Sequence, residues 1–408
     1  MRLFTARRLI VLSLVVVLGS LAVSFRAEQR WDEARALGAQ LEVAYDAIDH
    51  RRPVLVGEPV EGSAHAYYDR ALVLLGDDAA NRPQADEDFE GLARLCADEP
   101  EELAALRAEL VETYGEALEL LAEGARRTDG GAPFEWAAGF ELGVPRLSSA
   151  GHLVTLAVAD AELRLAAGES EAAVDRILQG AQFTGDLMRA PTWISMAVGQ
   201  SLLAGSGRHV LLDPGLLERL PDDALARLER GLTRLEESLP DHTASTTGEL
   251  ALCIRGIDRG LAEGRVLSVD FDDLLETLPW AFSDRLYFAD QVRSAAAGVA
   301  LHHDLAGVDW PEVERLFEAV DEDEEHLFLP PANVRNMELA GRRALAQLRL
   351  TRASIAHRLT GEVPPLANPY GGELVLTATD DGPALEAPVV GAPEIRNVPS
   401  IALLSPTD

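Results

Sequence analysis

Apolar residues recur three and four positions apart along most of this chain, the spacing that gives a helix a single apolar face. In EPEELAALRAELVETYGEALELLAEGARR, Leu103, Leu106, Leu110, Tyr114, Leu118 and Leu121 fall on one stripe. Pro100 and the acidic pair after it suit a helix start, and Arg126 and Arg127 suit its end, so one helix is predicted across the segment. In PDDALARLERGLTRLEESLP, Leu225, Leu228, Leu232, Leu235 and Leu239 alternate three and four apart. That narrow seam calls for a partner helix, and its short length places the partner within the same domain. The same periodicity predicts helices over 28–49, 64–75, 84–97, 147–167, 170–188, 192–206, 245–263, 284–304, 310–320 and 333–359.

After Gly361 the pattern changes. ELVLTATDDGPALEAPVV carries two extended runs around Asp381-Gly382, a hairpin signal, and IRNVPSIALL can add a third strand. The predicted fold class is therefore all-α: antiparallel helical hairpins over 27–360 with a small C-terminal β appendage in the Pro/Gly-rich tail 361–408. AELRLAAGESEAAVDRILQGAQFTGDL has the helix, Gly turn, helix form of a tetratricopeptide-like (TPR-like) unit. No 34-residue period runs through the chain, so TPR-like hairpins and an irregular helical bundle both remain open. DGGAPFEWAAGFELGVP, near 129–145, is the predicted seam between two lobes, and DEDEEHLFLPP at 321–331 reads as a solvated acidic linker.

The N-terminus departs from this amphipathic pattern. Residues 9–25, LIVLSLVVVLGSLAVSF, contain no charge over 17 positions, which is about 25 Å of helix against a hydrocarbon core of about 30 Å. Arg8 and Arg26 can snorkel to the two interfaces. Arg2, Arg7 and Arg8 lie before the run, so the basic segment 1–8 is expected in the cytoplasm and the rest of the chain outside it. A signal peptide cleaved after Ala22-Val23-Ser24 is the competing reading. Either way the main domain is expected outside the cytoplasm, on a single-pass anchor in a bacterial cytoplasmic membrane or secreted if the leader is removed.

Charge narrows the list of functions. The chain has 36 basic and 68 acidic residues, a formal charge of −32, and so lacks the basic footprint of a nucleic-acid binder. All the basic residues are arginine. Without lysine there is no Schiff base, no phosphate-gripping Walker A lysine, no kinase strand lysine and no Ser-x-x-Lys acylation pair. Cys96 and Cys253 each sit in a helical stripe. They can form one disulfide in an oxidising compartment or remain buried thiols.

The remaining motifs are weighed one by one. His302 and His303 are adjacent and point about 100° apart on a helix, so they do not converge on a metal. VDFDDLLE, with Asp270, Asp272, Asp273 and Glu276, lacks the Gly and bidentate Glu of a calcium loop and suits a helix start. No metal and no cofactor is predicted. Glu169-Ser170 is similar to the Glu-Ser pair of lytic transglycosylases, where Glu is the general acid, but GESEAAV is also what a turn and helix start supply, and the family's downstream pattern is missing. Trp136, with Phe134 and Phe140, can line a groove or plug the core.

EGSAHAYYDRALVLL, the pair LRLAAGESEAAVDRILQGAQFTGDLMRAPTWISMAVG, the late helix LAQLRLTRASIAHRLTGEVPPLANPYGGELVL and the apolar N-terminus together resemble a diffuse group of uncharacterised, membrane-anchored, mostly helical envelope proteins of GC-rich bacteria. The resemblance implies no catalytic residue. Asn368-Pro369-Tyr370-Gly371 is also similar to a pseudopilin tail, but Leu3 and Arg8 stand where that family has its processing Gly and its Glu. The function read from the sequence is a protein-interaction scaffold of the cell envelope that is not an enzyme, with an envelope protein as partner. The alternatives are a cell-wall glycan hydrolase using Glu169 and a purely structural spacer.

Overall fold

The structure is a computed structural model that describes residues 25–77, 82–94, 100–132, 136, 147–205, 211–262, 288–289, 292, 295, 305, 308–321, 331–379, 382–389 and 399–404. These residues are mostly helical, with a small β component. The first described segment, residues 25–46, is helical and is called α1. It is followed by β1 (Val60–Ser63), α2 (His65–Leu72), α3 (Arg82–Arg94), α4 (Pro100–Thr113), α5 (Gly115–Ala125) and β2 (Arg127–Asp129). Next come α6 (Leu147–Ala166), α7 (Ser170–Leu187), α8 (Trp193–Leu203), α9 (Pro214–Arg219), α10 (Asp222–Ser238) and α11 (Thr243–Ala262). The chain closes with α12 (Trp310–Asp321), α13 (Pro331–Thr360), β3 (Val375–Thr379), β4 (Gly382–Glu386) and β5 (Ser400–Ala402).

Helix α7 is the centre of the bundle. Its C-terminal half, from Ile177 to Leu187, is buried on every side, against α5, α6, α8 and α10. Small residues make that crowding feasible. A Cβ at Gly199 of α8 would lie 2.6 Å from the Thr184 carbonyl oxygen, and one at Gly231 of α10 would lie 2.4 Å from Leu178. Glycine costs roughly 0.5–1 kcal/mol in a helix interior, and here close backbone approach is what it gives in return. Gly168, at φ +80°, makes the tight turn between α6 and α7. The leucine seam of α10 is buried at Leu225, Leu228, Leu232 and Leu235 and packs on α7 and α13, within the domain as its length implies.

α13 is 30 residues long, about 45 Å at 1.5 Å per residue, and it returns from the C-terminal end to pack on α8 and α10. The tail is fastened along it. Ser354 donates to the Ala402 carbonyl at 3.2 Å and accepts from the Leu404 N–H at 3.0 Å, while His357 Nδ1 meets the Leu404 carbonyl at 3.1 Å. β3, β4 and β5 form an antiparallel sheet in that order, as the hairpin signal predicted. Among the described residues three hydrophobic clusters result: the large one around α7, one between α13 and the sheet, and one where Trp31 and Ala34 of α1 meet Leu250, Ile254 and Ile257 of α11. Trp193 packs against all three.

Three details differ from the sequence reading. The helix predicted across 100–127 is two helices, because Tyr114 leaves helical geometry (φ −108°, ψ 24°) ahead of Gly115. Its hydroxyl reaches Asp88 of α3 at 2.6 Å, and its ring lies beside Phe89. The periodicity missed the parallel pair β1–β2, which is too short to alternate visibly. It also missed α9, where Asp213 accepts from the Leu216 N–H and Pro214 opens the first turn. Residues on both sides of the proposed seam near 129–145, such as Leu121 and Leu153, share one core. Among the described residues no helix is long and apolar enough to cross a membrane. The segment 9–25 lies outside them except for Phe25, which is exposed.

Candidate functional site

A cleft of about 610 Å³ lies between α10, α11, α13 and the adjoining end of α8. Leu239-Pro240-Asp241-His242 turns the chain from α10 into α11 and forms one rim. The opposite wall is one face of α13, on which Glu338, Arg342, Leu345, Arg349 and Arg352 recur at spacings of four, three, four and three. Gly341 lies between these positions. A Cβ there would come 2.8 Å from His242 Nε2 and 2.9 Å from Gln200 Nε2, so the absence of a side chain is what lets those two groups meet against α13.

His242 is bonded at both ring nitrogens. Nδ1 is 3.1 Å from Glu338 Oε2, and Nε2 is 2.9 Å from the Gln200 amide nitrogen. The ring is thereby held between the carboxylate and the amide. Glu338 also accepts from Arg342 Nε at 2.7 Å. Burial alone would raise its pKa, but the His242 hydrogen bond and charge, with Arg342 beside them, pull it down to about 2. Arg342 donates further to the Pro369 carbonyl at 2.8 Å and the Val308 carbonyl at 2.6 Å. The Asn368-Pro369-Tyr370-Gly371 turn is thereby tied to a side chain of the cleft wall.

A second group of charges lies further along α13. Glu236 of α10 accepts from Arg349 Nε at 2.7 Å and from Arg352 Nη1, while Glu229 lies 3.3 Å from Arg352 Nη2. Arg349 Nη1 donates to the Ala367 carbonyl at 2.7 Å. Thr233 donates to Glu229, and Thr246 donates to the His242 carbonyl at 2.8 Å. Glu237 and Asp241, both exposed at the mouth, have no cation within ion-pair distance among the described residues.

A separate buried network lies at the C-terminal end of α5. Arg52 and Asp186 have side chains with 0% exposure and are joined twice, at 2.8 and 2.7 Å. Arg52 also donates to the carbonyls of Gly124, Ala125 and Arg127, the last acceptors of α5 and its exit. Tyr68 donates to Asp186 at 2.9 Å, and Arg189 Nε stands 3.9 Å away. Burial would lower the Arg52 pKa, but Asp186 outweighs it and the net shift is upward. For Arg189 burial prevails and the shift is downward. The enclosure of this network assigns it to holding the fold.

The residues singled out from the sequence lie elsewhere. Glu169 stands on the exposed turn before α7, 3.3 Å from Arg164 and outside the cleft. Trp136 lies edge-on to Tyr45 at 5.4 Å and donates to Asp46 at 3.3 Å, so it covers the end of α1 and does not line the cleft. Cys253 is a buried free thiol whose pKa is raised by burial and by Glu249. Its proposed partner Cys96 lies outside the described residues, as do His302, His303, Asp304 and the acidic run 270–276. Among the described residues no three or more His, Cys, Asp or Glu side chains are grouped to hold a metal ion. The chain matches no protein-family model, no curated protein and no solved structure. What the fold and cleft define is a mostly helical protein with a polar concavity braced by internal ion pairs.

Proposed function

We propose that this protein is a non-enzymatic interaction scaffold of the cell envelope, held at the membrane by residues 9–25, and that the partner enters the cleft between α10, α11 and α13. The observation that carries the reading is the bracing of the cleft. Its histidine is bonded at both nitrogens, and Arg342, Arg349 and Arg352 are tied to carboxylates on two helices and to carbonyls of the tail. A wall fixed in this way holds its shape before a ligand arrives and so lowers the ordering cost of binding. Proton-transfer chemistry favours the opposite, a base with a free nitrogen within reach of the reacting atom. The TPR-like reading of the α6–α7 hairpin belongs with this proposal, since helical hairpins present concave walls to partners.

The test is a photo-crosslinking amino acid placed at Leu345, on the cleft wall, in the full chain expressed in its native host, with Val43 on the exposed face of α1 as the control position. A defined adduct formed from position 345 and not from 43 supports the reading. Identical adduct patterns from both positions, or none from position 345, would remove the cleft as the docking site.

A further inference from the structure

Hydrogen-bond capacity in the cleft is strongly one-sided. The guanidinium groups that line it have their donors directed inward: Arg342 to Glu338 and the Pro369 and Val308 carbonyls, Arg349 to Glu236 and the Ala367 carbonyl, Arg352 to Glu236 and Glu229. The Thr233 and Thr246 hydroxyls donate to groups of the wall as well. Among the buried polar atoms that line the cleft, the one left without a partner is an acceptor. Gln200 lines the cleft at 2% exposure, and its Oε1 has no hydrogen-bond donor. A buried amide oxygen that no protein group satisfies is an acceptor open to a donor that enters the cleft. Glu237 and Asp241 at the mouth add two carboxylates with no cation facing them among the described residues.

The charge balance agrees. Arg349 and Arg352 are matched by Glu229 and Glu236, and Arg342 by Glu338. The two mouth carboxylates are left over. A ligand that completes this site must bring hydrogen-bond donors and positive charge, and must be slender enough to pass between Glu237 and Asp241 toward Gln200.

We infer that the cleft is a receptor for a cationic nitrogen group, an alkylammonium or guanidinium, which enters past Glu237 and Asp241 and donates to Gln200 Oε1. The inference rests on the binding role proposed above and names the chemistry of what binds. Two sources share that chemistry: a lysine or arginine side chain of a partner protein, and a free oligoamine.

The experiment is isothermal titration of the purified full chain with acetyl-lysine and acetyl-arginine N-methylamides, with spermidine, and with the acetyl-norleucine analogue as an uncharged control. Two doubly substituted proteins lose the same charge: Glu237→Gln with Asp241→Asn at the mouth, and Glu101→Gln with Glu102→Gln on the exposed start of α4. Asn at 241 keeps the acceptor for the Thr243 N–H, so the start of α11 is preserved. The expected result is saturable one-to-one binding of a cation and none of norleucine. The mouth substitutions should weaken binding roughly tenfold and the α4 pair should leave it unchanged. Binding of the amino-acid amides assigns the site to a partner's side chain, and binding of spermidine alone assigns it to a free oligoamine.

Equal weakening by both pairs would mean attraction to the acidic surface at large and would overturn the inference, as would the absence of saturable cation binding. If crosslinking from position 345 still captures a partner in that case, the scaffold reading stands and only the cationic ligand is wrong.

Discussion

Asp186 is the carboxylate that Arg52 and Arg189 share, and its replacement tests the role given to that network. It lies 2.7 Å from Arg52 and 3.9 Å from Arg189, with both carboxylate oxygens inside the protein. Asp186→Asn keeps the shape and an acceptor for Tyr68 but leaves two guanidinium groups buried without their counter-ion. Breaking a buried pair in this way costs about 3–5 kcal/mol, and the second cation places Asp186→Asn near the upper end. Arg52→Met should cost less, about 3 kcal/mol, because Arg189 remains beside Asp186 while the Gly124, Ala125 and Arg127 carbonyls lose a donor. In the double variant the uncompensated Arg52 charge is gone, so its cost should fall short of the sum by about 2 kcal/mol. Urea unfolding followed by far-UV circular dichroism measures all three. Additivity within about 0.5 kcal/mol, or a milder effect from Asp186→Asn than from Arg52→Met, would refute the account.

Other features make equally direct predictions. Glu338 has a folded pKa of about 2, below its ordinary 4.5. Its contribution is therefore complete above the unfolded value and disappears as pH falls through about 2. Glu338→Gln should destabilise the protein by about 3 kcal/mol at pH 7, with the gap to wild type closing between about pH 4.5 and 2 in urea titrations at stepped pH. Gly199→Ala should cost about 1–3 kcal/mol, since its Cβ meets the Thr184 backbone oxygen; Gly231→Ala should cost less, because it meets only the movable Leu178 side chain. A lower melting temperature for the second variant than the first would reverse that reading. Cys253 should resist iodoacetamide in the folded protein and react after denaturation, read by mass spectrometry of its peptide. Labelling of native protein at the rate of a free thiol would show the helix pair around it to be open.

Much of the fold was legible because it rests on local periodicity. The seam of α10, the α6–α7 hairpin and the three-stranded tail each carry their signal within one contiguous stretch of chain. The cleft was not legible in the same way. Gln200, His242 and Glu338 come from α8, the α10–α11 turn and α13, and no spacing rule connects them. One clue did exist: Glu338, Arg342, Arg349 and Arg352 form a polar stripe at helical spacing on a helix that is otherwise deeply buried. Arg52 gave no signal, because its partner Asp186 lies 134 positions away. Glu169 attracted attention because a Glu-Ser pair has a catalytic precedent, yet at this position a turn and a helix start account for it.

The fastening of the tail along α13 has a consequence for how the molecule is made. Arg342, the cation at the base of the cleft, is held by the carbonyl of Pro369, and α13 itself is bound by residues 402 and 404. A ribosome that has just released the first three hundred residues has produced α7 and its neighbours, but neither the far wall of the cleft nor the turn that sets its arginine. The cleft is thus completed only after α7 and its neighbours have been made, by a helix that also supplies Leu348 and Ile355 to their core. A chain terminated before residue 331 would lack that wall of the cleft altogether.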